Sequence, residues 1–439
     1  MNVNSCPEAL LNRGLRPLAV MLLALSLGSA PDTWANRHAY GEYFVRQGQN
    51  WVETGPQRAT SPAVPSFEER NQHQRELEKL QNRDGPYSDT LAEPLAAMGR
   101  YHRANGEVEE AVRFYRRALH VVRVNDGLYS ERQIPILQEL LDTYRGSGDL
   151  EALDQRYDYY FRLYGNGEPP YTEIRLGATL AYLRWQREAL RLGMDGEKHH
   201  RLLDLYQLND KLLRATAADP EVSLDQYHQV VLSQLRNLYL LEDRITPRLE
   251  KIGVAATAPS FGGEWEQGDF DRKRLETLQR GALSMGARLM QELIERSAAQ
   301  ASTLDLARLH LELGDWYQWH GSSRAKEQYE RVVELLTHAQ EQDTLQQWLG
   351  QPVELPDNGV FWQPPLRAGE KRRVVLDVSY DVSASGRLSE LEARVDNPED
   401  EGLASRFKRY LKKTRFRPRW AGGAPEAVAG IRRNYEIYD

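Results

Sequence analysis

The sequence predicts a mainly α chain: an α-solenoid of antiparallel helix pairs followed by a small α+β domain. Three observations carry that expectation. Gly85-Pro86-Tyr87-Ser88-Asp89 returns 42 residues later as Gly127-Leu128-Tyr129-Ser130-Glu131, and more loosely as Pro169-Pro170-Tyr171-Thr172-Glu173. Gly106 and Gly148, each between two helical stretches, keep the same step. After about Gln347 the pattern gives way to prolines and then to strand-like alternation. A period of this size built from paired helices is the signature of stacked repeats, in which each unit buries its apolar face only against its neighbours.

The chain opens with Arg13 and Arg16 before an apolar run from Leu18 to Ala30, and Thr33-Trp34-Ala35 offers a cleavage site. This pattern predicts a secretory signal over residues 1–35. The run holds about a dozen apolar residues against the roughly 20 that span a bilayer. Cys6, the one cysteine, precedes the run, so cleavage leaves a chain without thiol chemistry or disulfides. Export without cysteine fits a Gram-negative periplasm, reached by secretion across the inner membrane. Residues 36–84 read as a flexible lead-in and a charged helix, the latter opened by the capping-box spacing Ser66-Phe67-Glu68-Glu69 and running to about Asn82.

Residues 85–345 carry the repeat. Leu95, Met98, Gly99 and His102 lie at helical spacing, Gly106 closes that helix, and Ala111, Tyr115, Ala118 and Leu119 line the next. Gly99 and Ala111 let two helices approach closely, while Tyr115 fills the space beside them. Leu137, Leu140, Leu141, Tyr144, Gly148, Leu153 and Tyr157 repeat the pattern, and a further pair joins Leu313, Gly314, Tyr317 and Gly321 to Ala325, Tyr329, Val332 and Val333. Between these, apolar periods of 3.6 residues predict helices over Ile174–Leu192, His199–Thr216, Leu224–Leu241 and Phe270–Ser297. Pro94 and Pro135 either kink helices begun at Ser88 and Ser130 or follow an irregular turn. Trp185, Trp316, Tyr157 and Tyr329 sit at helix-interface spacing. The alternation of small and large positions resembles the tetratricopeptide repeat (TPR). The unit is about eight residues longer than the standard 34, and Arg123 stands where the closing proline would be.

Pro352, Pro356, Pro364 and Pro365 mark residues 346–372 as a stiff connector. Residues 373–439 then read as a strand over Val374–Val382, a turn at Ala384-Ser385-Gly386, a strand over Leu388–Val395, a helix, and a last strand over Val428–Tyr438. The helix carries the apolar stripe Leu403, Phe407, Tyr410 and Leu411 and ends at Phe416-Arg417-Pro418. This order, with Ser385-Gly386 in the hairpin and Phe416-Arg417-Pro418 after the helix, resembles the carboxy-terminal domain of TonB. The resemblance implies docking on an outer-membrane protein by strand addition to a peptide. A full membrane anchor and a proline-rich spacer, which TonB proteins carry, have no counterpart here.

Function classes narrow accordingly. The net charge is −7, spread as +4 over residues 371–439 and −11 over the rest, which argues against nucleic acid as partner despite a local basic run. Membrane contact is expected to be peripheral at most. No phosphate loop, His-Glu-x-x-His or nucleophile elbow occurs, so neither a cofactor nor catalysis is expected. The Ser-x-x-Lys spacings at Ser323–Lys326 and Ser405–Lys408 fall in helices with packing roles. Arg103, Arg145 and Arg187 recur at intervals of 42, with Arg100 and Arg184 one turn earlier. The TPR resemblance implies that these five face a groove where they hold carboxylates of a partner peptide. Lys408, Arg409, Lys412, Lys413, Arg415 and Arg417 form a basic tail surface for an anionic partner. The expected function is an exported protein–protein scaffold; a TonB-type energy transducer and a cell-envelope enzyme are the alternatives.

Overall fold

The computed structural model describes residues 44–47, 50–53, 67–192, 194, 200–252, 264–361 and 373–438; the signal segment over 1–35 lies outside them. The described chain is mainly helical with a small sheet region at the carboxy-terminal end. Part of the expected lead-in is instead a hairpin of β1 (Phe44–Gln47) and β2 (Asn50–Glu53), paired antiparallel. The charged helix follows as α1 (Phe67–Asp84).

The helices then run α2 (Ala92–Ala104), α3 (Val108–Asp126), α4 (Gln133–Ser147), α5 (Leu150–Tyr160), α6 (Glu173–Arg191), α7 (His200–Ala218), α8 (Leu224–Ile252), α9 (Glu264–Ser297), α10 (Thr303–Trp319), α11 (Arg324–His338) and α12 (Gln342–Leu349). The irregular-turn alternative holds at both prolines. A single 3-10 turn, Asp89–Leu91, precedes α2, and Pro94 and Pro135 fall in the first turns of α2 and α4, where no helical N–H is needed. Gly106 and Gly148 take positive φ at the helix ends, as the repeat requires.

Small residues set the spacing within the pairs. A Cβ on Gly99 would stand 2.6 Å from the Tyr115 ring, and one on Gly314 would stand 2.7 Å from Tyr329. The two positions are equivalent in the repeat, so the small–large rule read from the sequence is realised twice. In Gly99→Ala the fully buried Tyr115 ring must move, and overpacking of this kind costs about 1–3 kcal/mol. Urea unfolding should show a lower midpoint with an unchanged slope.

Two hydrophobic clusters meet at α6. Ala178, Trp185 and Ala189 belong to the first, with α1 to α5, while Leu176, Leu183 and Leu190 belong to the second, which continues through α7 to α12. A helix buried on two opposite faces transmits one core into the next. The four aromatics assigned to helix interfaces are buried, and Tyr157 stacks on Trp185 at 5.2 Å.

The carboxy-terminal unit comprises β4 (Arg373–Val382), β5 (Leu388–Arg394), α13 (Glu401–Lys413), β6 (Phe416–Arg417), β7 (Arg419–Ala421), β8 (Ala424–Glu426) and β9 (Val428–Tyr438). β4 is central in an antiparallel sheet of order β5-β4-β9. Leu376, Val378, Tyr380 and Val382 alternate inward against Phe407 and Leu411 of α13.

The expected connector is different from a spacer. α12 runs through its first residues, and β3 (Val353–Glu354) pairs antiparallel with β6. Leu349, Leu355, Val360 and Phe361 are buried, and Val360, Phe361 and Trp420 join the second helical cluster. Helices and sheet belong to one compact unit. Prolines stiffened this segment, and apolar neighbours then gave it a surface to lie against. Residues 362–372, with Pro364 and Pro365, lie outside the described part.

Candidate functional site

The recurring arginines stand on alternate helices, α2, α4 and α6, and each reaches toward the next member of that series. Arg103 Nη1 lies 2.7 Å from Glu139 Oε2 of α4 and also donates to the Glu139 carbonyl. Arg145 pairs with Glu188 of α6, donates to Tyr157 Oη at 3.2 Å and covers the Trp185 ring. Arg187 donates to Ser233 Oγ at 2.9 Å and Asn237 Oδ1 at 3.0 Å, both on α8. The three arginines therefore form rungs from α2 to α4, from α4 to α6 and from α6 to α8.

Burial decides what the rungs can do. Arg187 is 3% exposed and Glu188 1%. Burial pulls the Arg145 guanidinium down, yet Glu188 overrides it and holds the group above its ordinary value. Burial pushes Glu188 up, against the pull of Arg145. Arg187 is closed to a peptide in this arrangement, and Arg103 and Arg145 already have carboxylates. Of the second row, Arg100 pairs with Glu93 at 2.5 Å on its own helix, and Arg184 is partly exposed near Tyr160 and Glu188. The groove-facing assignment drew on spacing, and spacing cannot tell a ligand carboxylate from an internal one.

The second group of predicted residues divides. Lys408, Arg409, Lys412 and Lys413 of α13 are exposed, as a basic helix face requires. Arg415 is half-buried, its guanidinium close over Gly321 in the α10–α11 turn. Arg417 corrects the surface assignment outright: its side chain is 4% exposed. Its Nε lies 2.8 Å from Asp315 Oδ1 and its Nη2 2.5 Å from Oδ2, a two-pronged pair to α10. Arg417 Nη1 also donates to the Trp348 carbonyl at 3.0 Å, and Tyr329 Oη donates to Asp315 Oδ1 at 2.8 Å. Burial would depress Arg417, but Asp315 dominates and keeps it charged.

Around this pair the two regions are joined. Gln318 Nε2 donates to the carbonyls of Ser385 and Phe416, both at 2.8 Å, and the Phe416 N–H donates to the Gly386 carbonyl. Gly386 has φ +70°, and a Cβ there would meet Phe416 O at 2.0 Å. Ser385-Gly386 and Phe416-Arg417, singled out as marks of a separate domain, are thus the residues that fasten it to α10. The sequence reading missed Asp315, Gln318 and Glu188. Asp315 directly follows the spacing glycine Gly314, a buried position where a carboxylate needs a cation, and that is the signal that was present.

Glu312 stands next to this network. Burial and the nearby Asp315 carboxylate push it up to about 7, against the pull of Arg236 and Arg417. The folded chain therefore holds a proton that the unfolded chain releases near 4.5. The contribution to stability is fully present below that pH and is lost as pH rises through about 7. Glu312→Gln should flatten this fall: the variant should melt above the parent at pH 8 and close to it at pH 4.5.

Near the amino-terminal end an open cleft of about 680 Å³ lies between α1, α2 and α3, with Arg70, Gln74, Glu107, Glu110 and Phe114 on its walls. Charges of both signs line it, so it selects no ligand class. Among the described residues no group of three His, Cys, Asp or Glu could hold a metal ion. No described helix is long and apolar enough to cross a membrane. No protein-family model matches the chain, and no curated protein matches it.

Proposed function

We propose that this protein is an exported scaffold: a TPR-like α-solenoid that holds partner proteins, with a small TonB-like α+β unit fastened to its last repeats. The observation that carries the reading is the run of rungs from α2 to α8, Arg103 to Glu139, Arg145 to Glu188 and Arg187 to Ser233 and Asn237. Arginines that recur at one step each reach the next helix of the series α2, α4, α6 and α8, which is how neighbours in a stack of repeats contact one another. Such a stack offers a long side surface, and its rigidity lowers the ordering cost of binding. The strand–turn–strand–helix–strand order of β4, β5, α13 and β9 supports the second half of the reading. Its attachment through Arg417 and Gln318 favours a unit that works in fixed register with the helices over one that swings on a tether.

The test uses the full chain, expressed with a carboxy-terminal tag in a Gram-negative host. A chain starting near Asn36 in the osmotic-shock fraction, cross-linked to one partner protein at constant ratio, is the expected result. Retention in the inner membrane would favour energy transduction, and turnover of a cell-wall substrate without a partner would favour an enzyme; either overturns the scaffold reading.

A further inference from the structure

We infer that the outer face of α3 and α5 is a docking site for an acidic peptide segment of a partner protein, read by Arg116, Arg123 and Arg156 beside an exposed aromatic loop. The inference rests on the scaffold reading for the partner being a protein, and it places the site away from the rung arginines.

The three guanidiniums converge without an anion. Arg123 and Arg156 lie against the same Tyr159 ring, at 4.9 and 5.5 Å from its centroid. Arg116 donates to Tyr144 Oη at 2.9 Å, and Arg123 Nε donates to Gln133 Oε1 at 2.8 Å. Their partners are a phenol and an amide; among the described residues no carboxylate pairs with any of the three. Arg156 Nε is buried and lacks a hydrogen-bond partner. Burial, then the Arg116 and Arg123 charges, pull Arg156 below its ordinary value, the response of a cation kept among cations. At Arg145 and at Arg417, by contrast, an acid of this chain answers the guanidinium. The cluster stands out further because the whole chain is net −7. Its missing partner is a carboxylate brought from outside.

The surroundings choose a peptide over a small anion. Gln133, which accepts from Arg123, also donates to the Leu128 carbonyl, tying the cluster to the loop after α3. In that loop Tyr129 is 71% and Leu128 49% exposed, with Val124 at 54% on the last turn of α3. Tyr87 extends the patch: it is 57% exposed, meets His120 edge-on, and is held by Asn125. Tyr87 and Tyr129 are the same position of the repeated phrase, so its first two copies lay aromatics along this edge, while Tyr171 of the third is buried. A segment with carboxylates flanking an apolar side chain complements cations beside apolar surface; inorganic phosphate would use only half of it.

The experiment is fluorescence anisotropy on the full chain with a labelled peptide of Asp and Glu around a central Phe, and with its Asn/Gln counterpart. Arg116 and Tyr129 are exposed, so Arg116→Glu and Tyr129→Ala should keep the circular dichroism of the parent. Saturable binding of the acidic peptide alone is expected. Arg116→Glu should weaken it about tenfold or more, the loss of one charge-assisted contact. Tyr129→Ala should weaken it several-fold with the salt dependence unchanged. Equal binding by the two peptides, binding unaltered in Arg116→Glu, or no binding overturns the proposal. So does full competition by millimolar phosphate with Tyr129→Ala silent, which marks a small-anion site, or preference for anionic phospholipid vesicles, which marks a membrane surface. A partner cross-linked equally to parent and Arg116→Glu would leave the scaffold reading standing and remove this site.

Discussion

Arg417→Ala should be the most damaging single change in the carboxy-terminal unit. It leaves Asp315, 4% exposed, as an uncompensated charge, and it removes the donor to the Trp348 carbonyl. Breaking a buried pair from one side costs about 3–5 kcal/mol, since the remaining charge keeps only the Tyr329 hydroxyl and no counter-charge. Thermal unfolding should fall steeply, and protease should release the carboxy-terminal fragment under conditions where the parent resists. The paired change Asp315→Leu with Arg417→Met should recover most of the loss, because replacing both charges by apolar groups is often close to neutral. An unchanged midpoint in Arg417→Ala would show that the pair does not fasten the unit.

Glu188→Ala should show the next largest loss. It strips the carboxylate from Arg145, whose guanidinium then lies over Trp185 with only Tyr157 as acceptor. The Arg145 side chain keeps 28% exposure, so water recovers part of the deficit and the cost is about 2–4 kcal/mol. The location of the damage is the sharper reading. Hydrogen exchange should quicken in α4 and α6 together, since the rung joins those two, while β4 and β9 stay protected. Uniform loss across the chain would argue against a rung that links α4 to α6.

Much of the helical body was legible because its packing is nearly local. Gly99 and Tyr115 are 16 residues apart, and the sequence pattern alone pairs a small residue with a large one. The order of the carboxy-terminal elements was equally readable, since β4 shows its buried side through period-two alternation. The arginines were found and their role was not. A positive charge every 42 residues marks a repeated environment, but the carboxylate that answers it sits on another helix, at a separation set by loop lengths. Charge pairing is indifferent to whether the acid belongs to the same chain or to a partner. Arg417 failed for the same reason: in sequence it ends a run of surface cations, and only packing turns it inward to Asp315.

What the sequence by itself determined here is most of the helices, the three long carboxy-terminal strands and the apolar face of each, because burial with a fixed period is written in neighbouring residues. What only the tertiary structure decided is the fate of the charges and of the proline-containing segment. Asp315 and Arg417 are 102 residues apart. No periodicity spans that distance; the pair exists because β3 and β6 bring the end of the chain onto α10. Whether a cation is a ligand contact, a staple or a free surface depends on which carboxylate arrives first, and that is a property of the assembled fold.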